Sequence, residues 1–389
     1  MINTETCEWL INNADVPIRY RTARELLKDE KIAKKIEGNL LENPVVQLWL
    51  KNLKPESPPQ KSGYGEMAHG HLDFCLNNAL TQLVQLGLHG GIPQVADSVQ
   101  YHSNSFIKNR IDNPSPIFRS THDDIDFVIT PNMLCMAGIE NDIITRFLLR
   151  SLDEMYAFAR QKDYDIYYSL DDERRESISI PKMWEDHEDI IKLGPLNDYG
   201  SCCCYPLIYD VMGLHQLYGI HGAETDEKIN TVIEYISSDD FHNLMVGGYG
   251  ILVLPSKVTK KRMFGLLAWS PQYPGWFDVA EYIRRSNDSS EVNYSHHGGK
   301  CYVPKLLFFA EHISNYPAAR KTKWFSDLLC CLENYKTKNG TYEFPKEWLP
   351  NKQGFSVGGF HMSFGENRRK KNWLEIESTF FMQLLQKNV

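Results

Sequence analysis

The sequence predicts an all-α protein whose helices form hairpins and close into a ring. Apolar residues recur at helical spacing along most of the 389-residue chain, and strand signals are scarce. Proline or a capping residue stands before several of these segments, as is typical of helix N-termini. The final apolar stripe follows Trp373, and we interpret this helix as the one that closes the ring and lines its centre. An open α-solenoid of HEAT or armadillo type is the alternative architecture.

Each predicted helix follows from apolar periodicity, often with a start signal. Asn43 and Pro44 illustrate such a signal, because a capping amide followed by proline is favoured in the first helical turn. The predicted helices cover residues 8–13, 18–27, 44–53, 72–88, a stretch opened by Pro93, 142–160, a stretch opened by Pro206, 225–236, 259–269, 277–285, 304–313 and 318–333. Residues 250–255 give the best strand signal, although a buried helix start fits this run equally well. Residues 163–177 fit a strand or a loop.

Composition and charge exclude several classes of function. The net charge is -8 and the densest basic run, residues 368–371, is short, so we expect no nucleic-acid-binding face. No apolar run is long enough to span a membrane, and the first residues lack the features of a secretory signal. Nine cysteines, three of them adjacent at 202–204, do not suit an extracellular disulfide framework. We therefore expect a cytoplasmic protein.

A carboxylate falls inside the apolar stripe of the last predicted helix. Glu377 lies four residues after Trp373, and burial of its charge is unfavourable unless it is paired or borders a cavity. Arg368 and Arg369 are the nearest arginines in the sequence. Two interpretations stay open, namely an ion pair that holds the ring closed and a general acid with a raised pKa.

The densest group of acids is a candidate magnesium site. Asp123, Asp124 and Asp126 stand within four residues, and Mg2+ prefers oxygen ligands of this kind. The run resembles, in shortened form, the Asp-Asp-x-x-Asp motif of class I terpene synthases, which implies binding of a diphosphate through Mg2+. The second metal motif of those enzymes is incomplete, because Leu149 stands where a glutamate is required. The alternative is that His122 to Asp124 cap the following segment.

Two other sets of side chains suit metal or acid–base chemistry. His71 and Asp73 stand at a predicted helix start with Cys75 one turn after His71, which fits proton transfer or metal binding. Alternatively, Asp73 only stabilises the first turn of the helix. Zn2+ prefers thiolate and imidazole ligands, but for the cysteines burial as small apolar side chains is the alternative. The zinc candidates are Cys202, Cys203, Cys204, His296, His297 and Cys301.

Two polar residues interrupt the helix that is predicted to follow Pro206. Asp210 and His215 stand in a segment that is apolar nearly all round, which indicates burial on every side. We expect both side chains to face the centre of the ring. For His215, a hydrogen-bonded core position without further function is the alternative.

A turn near the C-terminus resembles a motif of the prenyltransferase and squalene-cyclase type of α/α toroid. Residues 336–342, Lys-Thr-Lys-Asn-Gly-Thr-Tyr, are similar to Gln-x-x-Asp-Gly-x-Trp, in which a glycine turn and an aromatic plug tie an outer helix to the next inner one. Lysine, asparagine and tyrosine replace the glutamine, aspartate and tryptophan of the motif. The resemblance implies a single toroid, full or incomplete, over residues 1–389, with 63–389 as the main ring and 1–62 as N-terminal helices packed outside.

Two longer pieces resemble an uncharacterised bacterial family that is placed near these toroids. They are the run from Trp9 to Leu27 and the run from Gly340 to Phe380, which includes His361. This resemblance implies the fold and carries no established activity. The Asp-x-Asp-Asp proton-donor motif of class II cyclases is absent from the sequence, which argues against plain squalene-type cyclisation.

The favoured functional hypothesis is a small-molecule enzyme or binder with an aromatic-lined central cavity. Aromatic residues make up 12% of the chain, and the toroid resemblance implies an extended apolar substrate and a cyclase, lyase or transferase reaction. A non-catalytic scaffold that binds a protein or peptide and a zinc-dependent enzyme are the alternatives. The expected catalytic residues are Asp123, Asp124, Asp126, Glu377, His71 and Asp73. The expected substrate contacts are Arg368, Arg369, His361, Asp210 and His215.

Overall fold

The structure of this protein is a computed structural model that describes much of the chain in separate ranges. The described residues are 3–53, 76–108, 130–164, 167–168, 190–191, 206, 208–243, 250–254, 263–267, 279–287, 303–349 and 363–387. Within these ranges, no helix combines the length and the apolar character needed to cross a bilayer.

Most of the described residues lie in helices, which confirms the predicted all-α class. The helices are α1 (Thr4–Asn13), α2 (Val16–Arg21), α3 (Glu30–Glu42), α4 (Pro44–Asn52), α5 (Leu76–Gln85), α6 (Pro93–His102), α7 (Asp142–Ala159), α8 (Ile208–Leu214), α9 (Ala223–Ile236), α10 (Asp239–Asn243), α11 (Val279–Asn287), α12 (Val303–Ile313), α13 (Pro317–Arg320), α14 (Lys323–Glu333) and α15 (Trp373–Gln386). Residues 130–136 are also helical. A π-helical turn, Thr22–Leu26, continues α2, and another, Ser103–Ile107, continues α6.

Side-chain amides begin two of the helices, and the sequence predicts the first of these caps. Asn43 Oδ1 accepts hydrogen bonds from the N–H groups of Val45 and Val46, at 2.9 and 3.4 Å, and Pro44 occupies the first helical position. Asn141 caps α7 in the same way. These bonds satisfy backbone donors that no carbonyl of the helix can reach, so the helix starts follow from local chemistry.

Two helical segments differ from the prediction. Helix α3 was not among the predicted helices, although Asp29 caps it by accepting hydrogen bonds from two backbone N–H groups. The predicted single helix at 318–333 is wrong, because the chain breaks into α13 and α14. Thr322 ends the first and begins the second, since its hydroxyl donates to Ala319 and accepts from the N–H of Phe325.

The described residues also include a four-stranded sheet. The strands are β1 (Tyr167–Tyr168), β2 (Ile190–Ile191), β3 (Gly250–Leu254) and β4 (Met263–Leu267), in the order β1-β2-β3-β4. The strand signal at 250–255 is therefore confirmed, whereas the helix predicted at 259–269 is wrong. Strands β3 and β4 pair antiparallel, beginning with Gly250 opposite Leu267. The hydrogen bonds between the strands satisfy the backbone N–H and C=O groups that a helix would pair within itself.

The first and last described helices are in direct contact. Helix α1 packs against α15, and the N–H of Asn3 donates to Gln383 Oε1 at 3.1 Å. Further along the same contact, Cys7 is fully buried and its Sγ lies 3.9 Å from Gln383 Oε1. The two ends of the chain are thereby joined through side chains of the core.

The glycine turn at 336–342 ties α14 to α15. Gly340 has φ +81°, a left-handed conformation that favours glycine. Tyr342 is buried, its hydroxyl donates to Glu333 Oε1 at 2.7 Å, and its N–H donates to Thr379 Oγ1 at 2.9 Å. One tyrosine therefore holds the end of α14 against the middle of α15.

Candidate functional site

Several of the predicted site residues lie outside the described residues. They are Asp123, Asp124, Asp126, His71, Asp73 and His361. The zinc candidates Cys202, Cys203, Cys204, His296, His297 and Cys301 also lie outside them. Within the ranges that the structure describes, no group of three or more histidine, cysteine, aspartate or glutamate side chains is arranged to hold a metal ion.

Glu377 is paired with one of the two predicted arginines. Its side chain is 0% exposed, and Arg368 Nη2 donates to Glu377 Oε2 at 2.6 Å. The guanidinium of Arg368 also lies over the ring of Trp373, 4.3 Å from its centroid. Burial raises the pKa of Glu377 to about 8, because the loss of solvation outweighs the attraction of Arg368. The carboxyl therefore belongs to an enclosed pair within the protein interior.

Arg369 does not join this pair, and a lysine supplies the other ionic contact of the segment. The side chain of Arg369 is exposed. Lys370 Nζ instead lies 2.7 Å from Asp15 Oδ1 and 2.8 Å from Glu366 Oε1. The N–H of Asp15 donates to Glu366 Oε2 at 2.7 Å. We name Asp15, Glu366 and Lys370 the terminal latch, because they join the start of α2 to the segment before α15.

Asp210 lies in a close helix–helix contact. It is buried, and Asn132 Nδ2 donates to Asp210 Oδ1 at 3.3 Å. On the same helix, a Cβ added to Gly213 would lie 1.8 Å from Asn132 Oδ1, so only glycine allows this approach. The predicted burial of Asp210 is confirmed, and its carboxylate contacts a packed amide.

His215 lies one residue beyond the end of α8 and keeps exposed surface. Its ring meets the ring of Tyr316 edge-on, with centroids 6.2 Å apart. Desolvation by the surrounding protein, with a smaller contribution from the positive charge of Lys387, lowers the pKa of His215 to about 4. His215 is therefore neutral at physiological pH.

Four charged side chains that the sequence did not single out lie close to one another. Arg21 forms a two-point contact with Glu25, through Nε at 2.7 Å and Nη2 at 3.0 Å. Arg21 Nη2 also lies 3.6 Å from Glu311 Oε1, and Lys387 Nζ lies 3.9 Å from Glu25 Oε2. We name Arg21, Glu25, Glu311 and Lys387 the inner charge cluster.

Electrostatics favour the charged forms of the Arg21–Glu25 pair. Burial alone would raise the pKa of Glu25, but Arg21 and Lys387 bring it below its ordinary value. Burial likewise opposes the charge of Arg21, and Glu25 and Glu311 raise its pKa in spite of it. The guanidinium carbon of Arg21 lies 5.0 Å from the centroid of the Phe380 ring, within the range of a cation–π contact.

The charges of the inner charge cluster are accessible although the protein surrounds them. The side chains of Glu25, Glu311 and Lys387 keep 22, 15 and 24% of their surface exposed. Desolvation is nevertheless the largest influence on the pKa of Glu25. These three side chains are therefore partly covered by the protein and partly open to solvent.

The sequence contains a partial signal for the inner charge cluster. Arg21 and Glu25 lie three and seven residues after Ile18, so they share the apolar face of the predicted helix. A pair four residues apart is, however, common on exposed helix surfaces. Glu311 and Lys387 are hundreds of residues away in the sequence, and only the fold brings them to this pair.

Comparison of the chain with protein-family models, with curated proteins and with solved structures finds no match.

Proposed function

We propose that the chain is an α/α toroid that binds an uncharged, polar small molecule in an enclosed space. The inner charge cluster borders that space. The observation that carries the proposal is the convergence of four charged side chains from three distant segments, α2 with its π-helical turn, α12 and the end of α15. Charges are costly to bring together inside a protein, and three of these four, Glu25, Glu311 and Lys387, keep accessible surface instead of being fully covered.

The contact between the two ends of the chain supports the ring over an open stack. In an α-solenoid each repeat contacts its neighbours, so the first and last helices lie far apart. Here α1 packs against α15, and the terminal latch adds ionic contacts between the start of α2 and the residues before α15. A ring encloses a central space, which is where we place the inner charge cluster.

The balance of charge indicates an uncharged ligand. Within the inner charge cluster, Arg21 and Lys387 contribute two positive charges and Glu25 and Glu311 two negative charges, so the formal sum of these four side chains is zero. A charged ligand would add an uncompensated charge to a desolvated space. Hydroxyl and carbonyl groups, by contrast, form hydrogen bonds with these side chains at no such cost. The carbon skeleton of the ligand, which carries these hydroxyl and carbonyl groups, can be extended and apolar.

A panel of small molecules tests the proposal, with two carbon skeletons that each carry a neutral, an anionic or a cationic group. The panel consists of geraniol, geranyl diphosphate and geranylamine, together with glucose, gluconate and glucosamine. Binding is followed by the thermal shift of the purified protein and by isothermal titration calorimetry. We expect the neutral member of at least one skeleton to bind and to bind more tightly than its charged counterparts.

Two glutamine variants provide the control for charge. Glu311→Gln removes one negative charge from the inner charge cluster, so we expect the preference to move toward the anionic members of the panel. Glu343→Gln removes an exposed carboxylate elsewhere and should leave the preference unchanged. Equal affinity for all three charge types, or the same preference in Glu311→Gln as in the wild type, would contradict the proposal.

A further inference from the structure

We infer that the ion pair of Arg368 and Glu377 holds one buried water molecule, which bridges Arg368 Nε and Glu377 Oε1. This water site joins the segment before α15 to α15 itself. It lies apart from the inner charge cluster, so the water is expected whether or not that cluster binds a ligand.

The pair is joined through one of the two hydrogen bonds that its groups are able to form. Arg368 Nη2 donates to Glu377 Oε2 at 2.6 Å. Arg368 Nε belongs to the same edge of the guanidinium as Nη2, and Oε1 belongs to the same carboxylate as Oε2. Both Nε and Oε1 are buried, and among the described residues neither has a hydrogen-bond partner. One donor and one acceptor therefore remain beside the hydrogen bond that is formed.

The Arg21–Glu25 pair shows the same two groups in a complete contact. There Nε donates to Oε1 at 2.7 Å and Nη2 donates to Oε2 at 3.0 Å, so one edge of the guanidinium meets both carboxylate oxygens. In the Arg368–Glu377 pair only the bond between Nη2 and Oε2 is present. The comparison shows that this protein forms the two-point contact in one pair and leaves the other pair half open.

An aromatic ring accounts for the half-open geometry. The guanidinium carbon of Arg368 lies 4.3 Å from the centroid of the Trp373 ring, within the range of a cation–π contact. Trp373 is the first residue of α15, and Glu377 follows one turn later on the same helix. The ring thus fixes the guanidinium while the helix fixes the carboxylate, and neither group is free to turn fully toward the other.

Water suits this place by its size. The side chain of Glu377 is 0% exposed and both unpaired atoms are buried, so a larger molecule would have to displace protein atoms. Buried polar groups in proteins are nearly always hydrogen-bonded, and ordered water commonly supplies the bond that the protein does not. Such waters have about two to four polar partners, and Nε and Oε1 provide two of them.

Water also suits both protonation states of Glu377. The ionised carboxylate accepts a hydrogen bond from the water at Oε1, while the water accepts one from Arg368 Nε. In the neutral carboxyl the proton lies on Oε1, because Oε2 already accepts from Arg368. The water then accepts that proton's hydrogen bond. Both states matter near neutral pH, since burial raises the pKa of Glu377 to about 8.

Two arginine Nε–H groups of the wild-type protein test the site against each other. Through-bond NMR spectra of nitrogen-15-labelled protein assign Nε–H of Arg368 and of Arg21, and cross-relaxation with water is then recorded for both. We expect cross-peaks with a bound water for Arg368, opposite in sign in the laboratory and rotating frames. We expect none for Arg21, whose Nε donates to Glu25. Absence of the water cross-peak for Arg368 overturns the inference.

Two methionine variants test whether Glu377 is the second partner of the water. Glu377→Met removes Oε1, so we expect the water cross-peak of Arg368 to be lost. Glu343→Met makes the same change at an exposed position and should leave the cross-peak in place. The thermal transition of each variant shows whether it folds. A cross-peak that persists in folded Glu377→Met overturns the bridge.

A crystal structure of the wild type gives an independent measurement that needs no variant. We expect electron density for a water at about 2.7–3.2 Å from both Arg368 Nε and Glu377 Oε1. A closed two-point contact like that of Arg21 and Glu25, or a half-open pair without this density, overturns the inference. Either result leaves the proposed function untouched, because the inner charge cluster contains neither Arg368 nor Glu377.

Discussion

At the scale of single residues, the buried carboxyl of Glu377 links the stability of the fold to pH. Its pKa rises from an ordinary value of 4.5 to about 8 on folding, because the side chain loses its solvation inside the protein. The folded state thus holds the proton more tightly than the unfolded chain. The contribution of this group to stability is complete below pH 4.5 and is lost as pH rises toward 8.

Glu377→Gln should remove this dependence. Glutamine keeps an oxygen that accepts from Arg368 but carries no titrating proton. We expect the free energy of unfolding of the wild type to fall, relative to the variant, by up to about 1.4 kcal/mol per pH unit across this window. Urea unfolding at a series of pH values measures the difference, with the exposed Glu343→Gln as control. Parallel pH profiles for wild type and Glu377→Gln would show that the carboxyl is not buried as described.

Arg21 makes a second prediction at the residue scale. Arg21→Met leaves the desolvated carboxylate of Glu25 without its two-point contact, which should lower the free energy of unfolding by about 3–5 kcal/mol. The double variant Arg21→Met with Glu25→Gln should recover part of this loss, because one of the unpaired charges is removed.

The control for Arg21 is an exposed ion pair. Arg284 pairs with Glu281 three residues earlier, and its side chain is 56% exposed. Surface pairs of this kind contribute at most about 1 kcal/mol, so Arg284→Gln should change stability little. Denaturant unfolding of all variants under the same conditions provides the comparison. A similar loss for Arg21→Met and Arg284→Gln would mean that the inner charge cluster is solvated like a surface.

At the scale of elements, two glycines with the same φ angle distinguish the effect of close packing from the effect of backbone conformation. Gly340 and Gly365 both have φ +81°. A Cβ at Gly365 would lie 2.6 Å from Leu86 Cδ2 and 2.8 Å from Pro17 Cγ, whereas nothing lies within 4 Å at Gly340. The segment before α15 therefore approaches α2 and the end of α5 as closely as a backbone can.

Alanine at these two positions should differ in effect. Gly340→Ala meets the conformational penalty alone, about 1 kcal/mol, while Gly365→Ala adds a steric clash and should cost at least about 1 kcal/mol more. Thermal or urea unfolding of the two variants gives the comparison directly. If Gly365→Ala were no less stable than Gly340→Ala, the close contact of this segment with Pro17 and Leu86 would be wrong.

At the scale of the whole molecule, the nearness of the chain ends predicts that a circular permutant folds. A short linker would join the two termini, since Asn3 and Gln383 are in hydrogen-bond contact. New ends would lie between His221 and Gly222, in the exposed turn before α9. We expect a cooperative unfolding transition close to that of the wild type, measured by circular dichroism.

Cleavage at the same turn, through an inserted protease site, controls for the new ends. An open stack would require the linker to span its full length, and the permutant would then fail to fold although the cleaved protein stays intact. That result would contradict the toroid and, with it, an enclosed ligand site.

Local chemistry in the sequence determined where several helices begin and which class of fold they build. Asn43 with Pro44, and Asn141, fix helix starts because capping depends on neighbours in the chain. At 250–255 the sequence left a strand and a buried helix start open, and the helix expected at 259–269 is wrong, because pairing of the two strands with each other decided both conformations. Burial of Glu377 beside Arg368 was also within reach of the sequence, since both lie in one short stretch.

The tertiary structure alone decided the inner charge cluster. Arg21 and Glu25 look like an ordinary helical pair until the fold places Glu311 and Lys387 beside them. Spacing along the sequence carries no information about such contacts, because they depend on which helix faces pack together after the chain has closed. The sequence thus determines the helices and some buried polar positions, and the packing of the first helices against the last one determines which charges come together.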